Sequence, residues 1–301
     1  MRVVAEGHDL MARPFIKWAG GKTQLLPELL RRLPTAFGRY HEPFIGSAAL
    51  FFQLQAQGRL RGAVLSDTNP ELIELYTVVR DAPEELIAAL QEHAAHCLDR
   101  EYYYAVRSWD RQPSWRQRAA VERAARMMFL NKTCFNGLHR VNRRGQFNVP
   151  FGRYAKPTVC DGANLRAASA ALQDAELLVD DFAGVVGRAA AGDLVYFDPP
   201  YVPSSTTASF TAYTKHAFGA EQHERLAQVF RRLTERGCTV VLSNSATPLV
   251  QELYAGFPMT RVVARRAINR EATKRGTVHE LIVQSQLAQG HALEHTEVSQ
   301  L

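Results

Sequence analysis

Leu194-Val195-Tyr196-Phe197-Asp198-Pro199-Pro200-Tyr201 is the stretch on which the reading of this chain turns. Its first four residues form an apolar run of strand length and β-type composition. The next four put a carboxylate, two rigid prolines and an aromatic ring at the carboxyl end of that run. In open α/β sheets, ligands bind at the carboxyl ends of the strands. The set suits an amino group on a flat ring: the carboxylate and a proline-flanked carbonyl accept hydrogen bonds from an NH2, while the tyrosine offers a face for stacking. Read alone, Asp-Pro-Pro-Tyr is equally a strand followed by a proline turn. Companion motifs have to decide between the two.

Outward from Phe197, β-type runs alternate with helical patterns. The runs are His41–Phe44, Ala63–Asp67, Leu177–Asp181, Asp193–Phe197, Cys238–Ser243, Arg261–Arg265 and Val278–Val283. Such alternation predicts the α/β class, a parallel or mixed sheet covered by helices. Residues 81–159 break the rhythm, with helices expected over Pro83–Ala95 and Arg116–Leu130 and an Arg-rich hairpin around Arg143-Arg144-Gly145-Gln146. They read as a domain inserted between two parts of a main one, 14–80 and 160–286. The ends, 1–13 and 287–301, are expected to fray.

A chain of 301 residues with 46% hydrophobic composition can bury a substantial core. Its formal charge of +6 favours a polyanionic partner, provided the basic residues cluster in a sensible place. Cys97, Cys134, Cys160 and Cys238 form no Cys-x-x-Cys pair, which argues against a disulfide framework or a zinc site and fits a reducing cytoplasm. Neither end carries a secretory pattern and no apolar run reaches membrane-span length, so the expectation is a soluble cytoplasmic protein with no membrane partner.

Four further segments carry chemistry. In Phe15-Ile16-Lys17-Trp18-Ala19-Gly20-Gly21-Lys22-Thr23, two glycines free backbone amides ahead of a lysine. A phosphate loop would need its first glycine at position 16, which is Ile16, so a nucleotide triphosphatase is disfavoured against a plain helix start. Glu42-Pro43-Phe44-Ile45-Gly46 follows a strand and opens a small-residue helix, Ala48 to Gln57, where backbone can approach a cofactor. The next strand ends in Asp67, where nucleotide-binding folds place a carboxylate on ribose; a helix-capping aspartate is the plainer alternative. Asn136-Gly137-Leu138-His139-Arg140 continues through Gly145-Gln146-Phe147-Asn148-Val149-Pro150-Phe151-Gly152-Arg153-Tyr154, mixing the amide and guanidinium groups that read base edges and fix phosphates. A solvated basic hairpin has the same composition.

Together and in this order, from about Pro14 to Val283, these segments resemble the Dam-type DNA adenine methyltransferases, which methylate adenine N6 using S-adenosylmethionine. The resemblance implies a Rossmann-like methyltransferase sheet with an inserted, mostly helical target-recognition domain carrying a β-hairpin. It implies that Trp18, Ala19, Gly20 and Lys22 line the cofactor site, that Glu42, Pro43, Phe44 and Gly46 form its floor, and that Asp67 holds the ribose. Asp181 and Phe182 would flank the cofactor's adenine. Asp198, Pro199, Pro200 and Tyr201 would receive the target base, with Asp198 also bordering the cofactor. Lys17, Phe135, Asn136, Leu138, Arg140 and Arg153 would face double-stranded DNA, with GATC as the implied target, and the enzyme would act as a monomer associated with the nucleoid. No metal is expected, since the sulfonium is itself the electrophile.

The chain departs from the family at Ala48, where a second glycine is frequent, at Phe135, where tyrosine is common, and over 268–275, which is poorer in serine and glycine. Asp198 itself separates the possible activities. Related enzymes acting on cytosine N4 carry Ser or Thr at this place, and those acting on protein glutamine carry Asn. A DNA-binding regulator that has lost catalysis is the alternative of another class.

Overall fold

Along Leu194–Phe197 the side chains alternate between two apolar layers. Leu194 and Tyr196 join a core with Leu65, Val241 and Ile282, whereas Val195 and Phe197 join a second with Val240, Leu242, Leu281 and Val283. A strand's period of two delivers this split only when both faces are covered, so the strand lies in the middle of a layered fold. The computed structural model describes residues 11–18, 20, 22, 25–202, 218–265 and 277–286. In chain order its elements are α1 (Leu26–Leu30), β1 (Tyr40–Glu42), α2 (Ala49–Ala56), β2 (Ala63–Asp67), α3 (Pro70–Asp81), α4 (Pro83–Ala94), α5 (Arg100–Arg107), α6 (Ala120–Thr133), α7 (Gly162–Leu172), β3 (Ala175–Val179), α8 (Val185–Arg188), β4 (Leu194–Phe197), α9 (Ala220–Glu235), β5 (Thr239–Ser245), α10 (Pro248–Leu253), β6 (Met259–Arg265) and β7 (Thr277–Gln284).

The seven strands form one sheet in the order β3-β2-β1-β4-β5-β7-β6. Neighbours from β3 to β5 are parallel, and β7 runs antiparallel between β5 and β6. The sheet is therefore mixed, and every run expected to be a strand is one. β1 stops at Glu42, short of the expected Phe44, because Pro43 has no amide for the ladder. Strand order reverses between β1 and β4, which opens a crevice beyond their carboxyl ends. Glu42 closes β1 on one side of this crevice and Asp198 follows β4 on the other.

Helix α3 shows how local signals seat the covering layer. Asn69 caps it, accepting from the amides of Glu71 (3.1 Å) and Leu72 (3.4 Å), and Pro70 supplies a preset first turn. Leu72, Leu75, Tyr76 and Val79 recur at helical spacing and are buried, each of the larger ones contributing about 1.5–3 kcal/mol. Against that stripe pack α6 and α7, and the same core takes in Leu86, Leu90, Tyr103 and Phe129. Apolar packing is thus continuous between residues 81–159 and the helices beside the sheet. The helix expected from Arg116 begins instead at Ala120. Arg118 is extended (φ −64°, ψ 151°), and the Glu122 side chain accepts from the Ala119 amide at 3.1 Å to start the helix there.

The expected hairpin is present. Val141 and Phe147 form an antiparallel bridge, the Asn142 amide donates to the Gln146 carbonyl at 2.8 Å, and Gly145 turns the chain at φ +77°. Arg13 is tied to α7: Asn164 bonds both its amide and its carbonyl at 3.0 Å. Among the described residues no helix is long and apolar enough to cross a membrane. Residues 1–10, 287–301 and the 268–275 loop lie outside the described residues, as does Ala19.

Candidate active site and nucleic-acid interface

Asp198 leaves β4 at the point where Pro199 and Pro200, lacking amides, end the ladder. Its Oδ1 receives two donors, the Lys22 ammonium at 2.8 Å and the Ser243 hydroxyl at 2.9 Å. Ser243 is 2.9 Å from the Tyr196 hydroxyl; having given its own hydrogen to Asp198, it accepts from Tyr196. Among the described residues nothing donates to Oδ2. Burial pushes the Asp198 carboxyl above its ordinary value, while Lys22 and Ser243 hold it down. Tyr201 donates its hydroxyl to Glu280 on β7 at 2.9 Å, and the Lys22 ammonium lies 4.3 Å from its ring centroid. Asn244 accepts from the Val202 amide at 3.1 Å and fixes the exit of the turn.

Beneath this corner lies a recess open to solvent at the sheet's switch point. It brings together Trp18, Gly20, Lys22, Glu42, Gly46 and Asp198 from among the expected residues, with Tyr196 and Ser47 added. Gly46 has φ +46°, and a Cβ there would stand 3.0 Å from the Trp18 ring, so both conformation and space select glycine. Ala48, at the place where the family often has glycine, adopts the left-handed conformation (φ 53°) all the same. Glu42 is 3% exposed, and its carboxylate accepts from Tyr40 at 2.9 Å. Burial pushes its carboxyl up to about 8. Asp67, at the end of β2, is pushed by burial to about 6 and accepts from the Asn69 amide at 2.9 Å. Since Asn69 is the helix cap, Asp67 is not. Neither acid has a cation within salt-bridge reach among the described residues. Asp67 is not among the residues lining the recess, whereas Glu42 is, so the recess favours a ligand that brings an amine, as S-adenosylmethionine does.

Phe44 and Phe182 stack on each other at 5.6 Å, with Phe218 edge-on to Phe44 at 5.7 Å. They form one aromatic wall beside β4, and Pro43 is buried beneath the turn. Asp181 caps the turn at Phe182 and is also paired with Arg225 at 2.6 Å. Sequence reasoning missed Ser243, Asn244, Glu280 and Arg225; only the polar run Ser243-Asn244-Ser245 closing an apolar strand gave a local signal for any of them.

The hairpin is gripped from behind. The buried carboxylate of Asp110 accepts from the Phe147 amide at 2.8 Å and pairs with Arg126, itself 1% exposed, at 2.7 Å. Arg111 donates to the Phe147 carbonyl at 2.7 Å, and Tyr103 and Arg107 donate to that of Val149 at 2.9 and 3.1 Å. At the base, Asn131 bonds the Lys17 amide (2.9 Å) and carbonyl (2.7 Å) and the Gly137 carbonyl (3.1 Å). In front, Phe135 is 45% exposed, Asn136 sits at φ 56°, and Asn136, Arg140 and Arg153 are exposed, with Leu138 half-buried. Arg140 leans on Asn148 (2.7 Å), and Lys17 rests 4.3 Å from the Tyr154 ring. Lys17 thus joins the loop beside the recess to the hairpin.

The model of the D12 class N6 adenine-specific DNA methyltransferase family matches residues 18–268. The chain is 43% identical over 273 residues to a type II methyltransferase of Lactococcus lactis subsp. cremoris, covering 90% of this chain and 94% of that one. It is 40% identical over 284 residues to a type II methyltransferase of Methanocaldococcus jannaschii, covering 90% and 98%. Over 273 residues it is 36% identical to the DNA adenine methylase of Escherichia coli, covering 90% and 94%.

Proposed function

The chain belongs to the D12 class of N6 adenine-specific DNA methyltransferases, and from that premise we propose that it methylates an adenine turned out of the duplex at GATC, with Asp198 and Tyr201 receiving the base. The observation that carries this reading is the state of Asp198. One oxygen is held by two donors and the other is free of donors among the described residues, at the rim of a recess containing a buried, cation-free Glu42.

Adenine's exocyclic nitrogen is a poor nucleophile, because its lone pair is delocalised into the ring, and in a duplex it is also paired and stacked. Turning the base out costs a few kcal/mol. Stacking on Tyr201 returns about 1–3 kcal/mol. The Lys22 ammonium lies over that same ring and on that same carboxylate, so it swings aside as the base arrives. Asp198 Oδ2 and the Pro199 carbonyl then accept the two NH2 hydrogens and localise the lone pair. S-adenosylmethionine supplies a methyl group on a sulfonium, with neutral S-adenosylhomocysteine as the leaving group, so the reaction asks for no metal. Trp18, Gly20, Glu42 and Gly46 hold it in the recess, Asp67 takes the ribose hydroxyls, and Phe182 with Asp181 borders its adenine. What remains for the protein is alignment and charge placement. The surplus proton on nitrogen passes to Asp198, whose carboxyl burial already biases towards protonation.

Residues 81–159 act as the target-recognition segment in this reading. Phe135, Asn136, Leu138 and Arg140 face the bases, while Lys17 and Arg153 reach phosphates. The test is transfer of tritiated methyl to a GATC duplex and to a scrambled duplex, followed by single-molecule sequencing of the product. Label confined to adenine in GATC is expected. Label on cytosine, or equal label on both duplexes, overturns the assignment.

A further inference from the structure

We propose that His139 is a positioning residue that couples the cofactor recess to the DNA-facing hairpin by stacking on Trp18. The indole stands between the two regions. One edge fills the space left by Gly46, where a Cβ would lie 3.0 Å from it, and the ring lines the recess. Its face stacks on His139, with ring centroids 5.2 Å apart and planes 24° apart. His139 in turn meets Phe147 at 5.8 Å. Phe147 is 5% exposed, and Asp110 and Arg111 hold both its backbone polar groups, so this side of the hairpin cannot retreat from the stack. His139 sits between Leu138 and Arg140, the two residues placed towards the bases. A group packed against Trp18 therefore lies one ring away from the backbone that aims Arg140.

Among the described residues the ring is held by its faces and not by polar partners, and its buried Nε2 has no hydrogen bond. Burial pushes the imidazole down to about 4, so a neutral ring stacks on the indole at neutral pH. A flat neutral ring is what the position uses, and phenylalanine is the conservative replacement.

This inference rests on the proposed reading of the recess as the S-adenosylmethionine site and of the hairpin as the DNA reader. The test uses the full chain and sinefungin, an S-adenosylmethionine analogue that carries no transferable methyl. The affinity for a GATC duplex is measured with and without saturating sinefungin for the wild type, His139→Ala and His139→Phe. Sinefungin should tighten wild-type DNA binding, and His139→Ala should cut that tightening by about twofold to tenfold, the scale of one aromatic pair. Sinefungin affinity without DNA should stay at the wild-type value, which also reports an intact fold. By reciprocity, the effect of DNA on sinefungin affinity should shrink by the same factor. His139→Phe should keep the wild-type coupling. Equal tightening in His139→Ala and wild type overturns the inference, as does a loss that merely tracks weaker sinefungin binding without DNA. If sinefungin does not bind the wild type, or the wild type does not prefer GATC to scrambled DNA, the functional reading falls and the inference with it.

Discussion

The corner around Asp198 and the hairpin from Phe135 to Arg153 are built on opposite plans. At the corner the reacting side chain itself is fixed: Ser243, steadied by Tyr196, holds one carboxylate oxygen, Lys22 shares that oxygen until the base arrives, and Glu280 holds the ring of Tyr201. In the hairpin the front side chains Phe135, Asn136, Arg140 and Arg153 are exposed and the backbone is fixed from behind by Asp110, Arg111, Tyr103 and Arg107. Chemistry on a small amino group needs an acceptor aimed before the base arrives, since reorganising it during the reaction would add to the barrier. Reading a duplex needs a scaffold in register whose arginines can still choose among partners. Pre-ordering therefore sits in the side chain in one region and in the main chain in the other.

The largest effect expected to test that contrast is at the corner. Asp198→Ala should lower methyl transfer by about 1000-fold, roughly 4 kcal/mol of transition-state stabilisation, while leaving duplex affinity largely intact. Near-normal turnover with tritiated S-adenosylmethionine would remove the corner from the chemistry. Next comes the hairpin's hidden anchor. Asp110→Ala leaves the buried Arg126 without its carboxylate partner, with only the Val106 and Arg107 carbonyls accepting from it among the described residues, and should cost about 3 kcal/mol of stability by chemical denaturation. A loss below about 1 kcal/mol would mean that the hairpin is not gripped from behind.

What could be read in advance also divides along this line. The central strands β2, β4 and β5 showed themselves as mainly apolar runs, because they are buried on both faces, whereas β3 and β6, at the sheet's two edges, leave Val179 and Val263 exposed and were legible from their β-type composition. Asp198 stood out because two prolines directly after a strand stop both ladder and helix, leaving the carboxylate before them at the carboxyl end of the strand. Its partners did not: Ser243 is 45 residues away and Glu280 is 79 residues from Tyr201. Glu280 arrives only because β7 inserts antiparallel between β5 and β6, a pairing that no local pattern announces. The hairpin's loop was legible from Asn, Gly and Arg. Its support was not, since Asp110 and Arg126 look like ordinary surface charges until α5 and α6 are packed together.

A third effect distinguishes charge at the corner from charge elsewhere. Folded Glu42 titrates near 8, above its ordinary value of 4.5, so the unfolded chain gives up this proton first as pH rises. Stability from this group is full below about pH 4.5 and is lost as pH rises towards 8. Asp67, near 6, adds a loss of the same sign over a narrower window. Glu42→Gln should therefore recover roughly 2 kcal/mol at pH 7 relative to pH 5, compared with wild type over the same interval. Parallel stability curves for the two proteins would show that Glu42 is solvated and that water fills the recess around it.

The smallest effect is the most diagnostic for the hairpin. Among the described residues Arg140 is held only by Asn148 of the same hairpin, and it is exposed, so Arg140→Ala should leave stability within about 0.5 kcal/mol. If it reads a base edge, the variant should lose about 1–2 kcal/mol of discrimination at a single base pair and little on a scrambled duplex. An arginine that touches only phosphate behaves otherwise: it weakens all sequences alike and flattens the salt dependence of binding by about one charge. Measuring cognate and scrambled affinities across a salt series separates the two. Arg153→Ala, with its exposed guanidinium at the far end of the hairpin, supplies the phosphate-type control. Equal losses for Arg140→Ala on both duplexes would make this front face a phosphate clamp and move the burden of sequence reading to Phe135, Asn136 and Leu138.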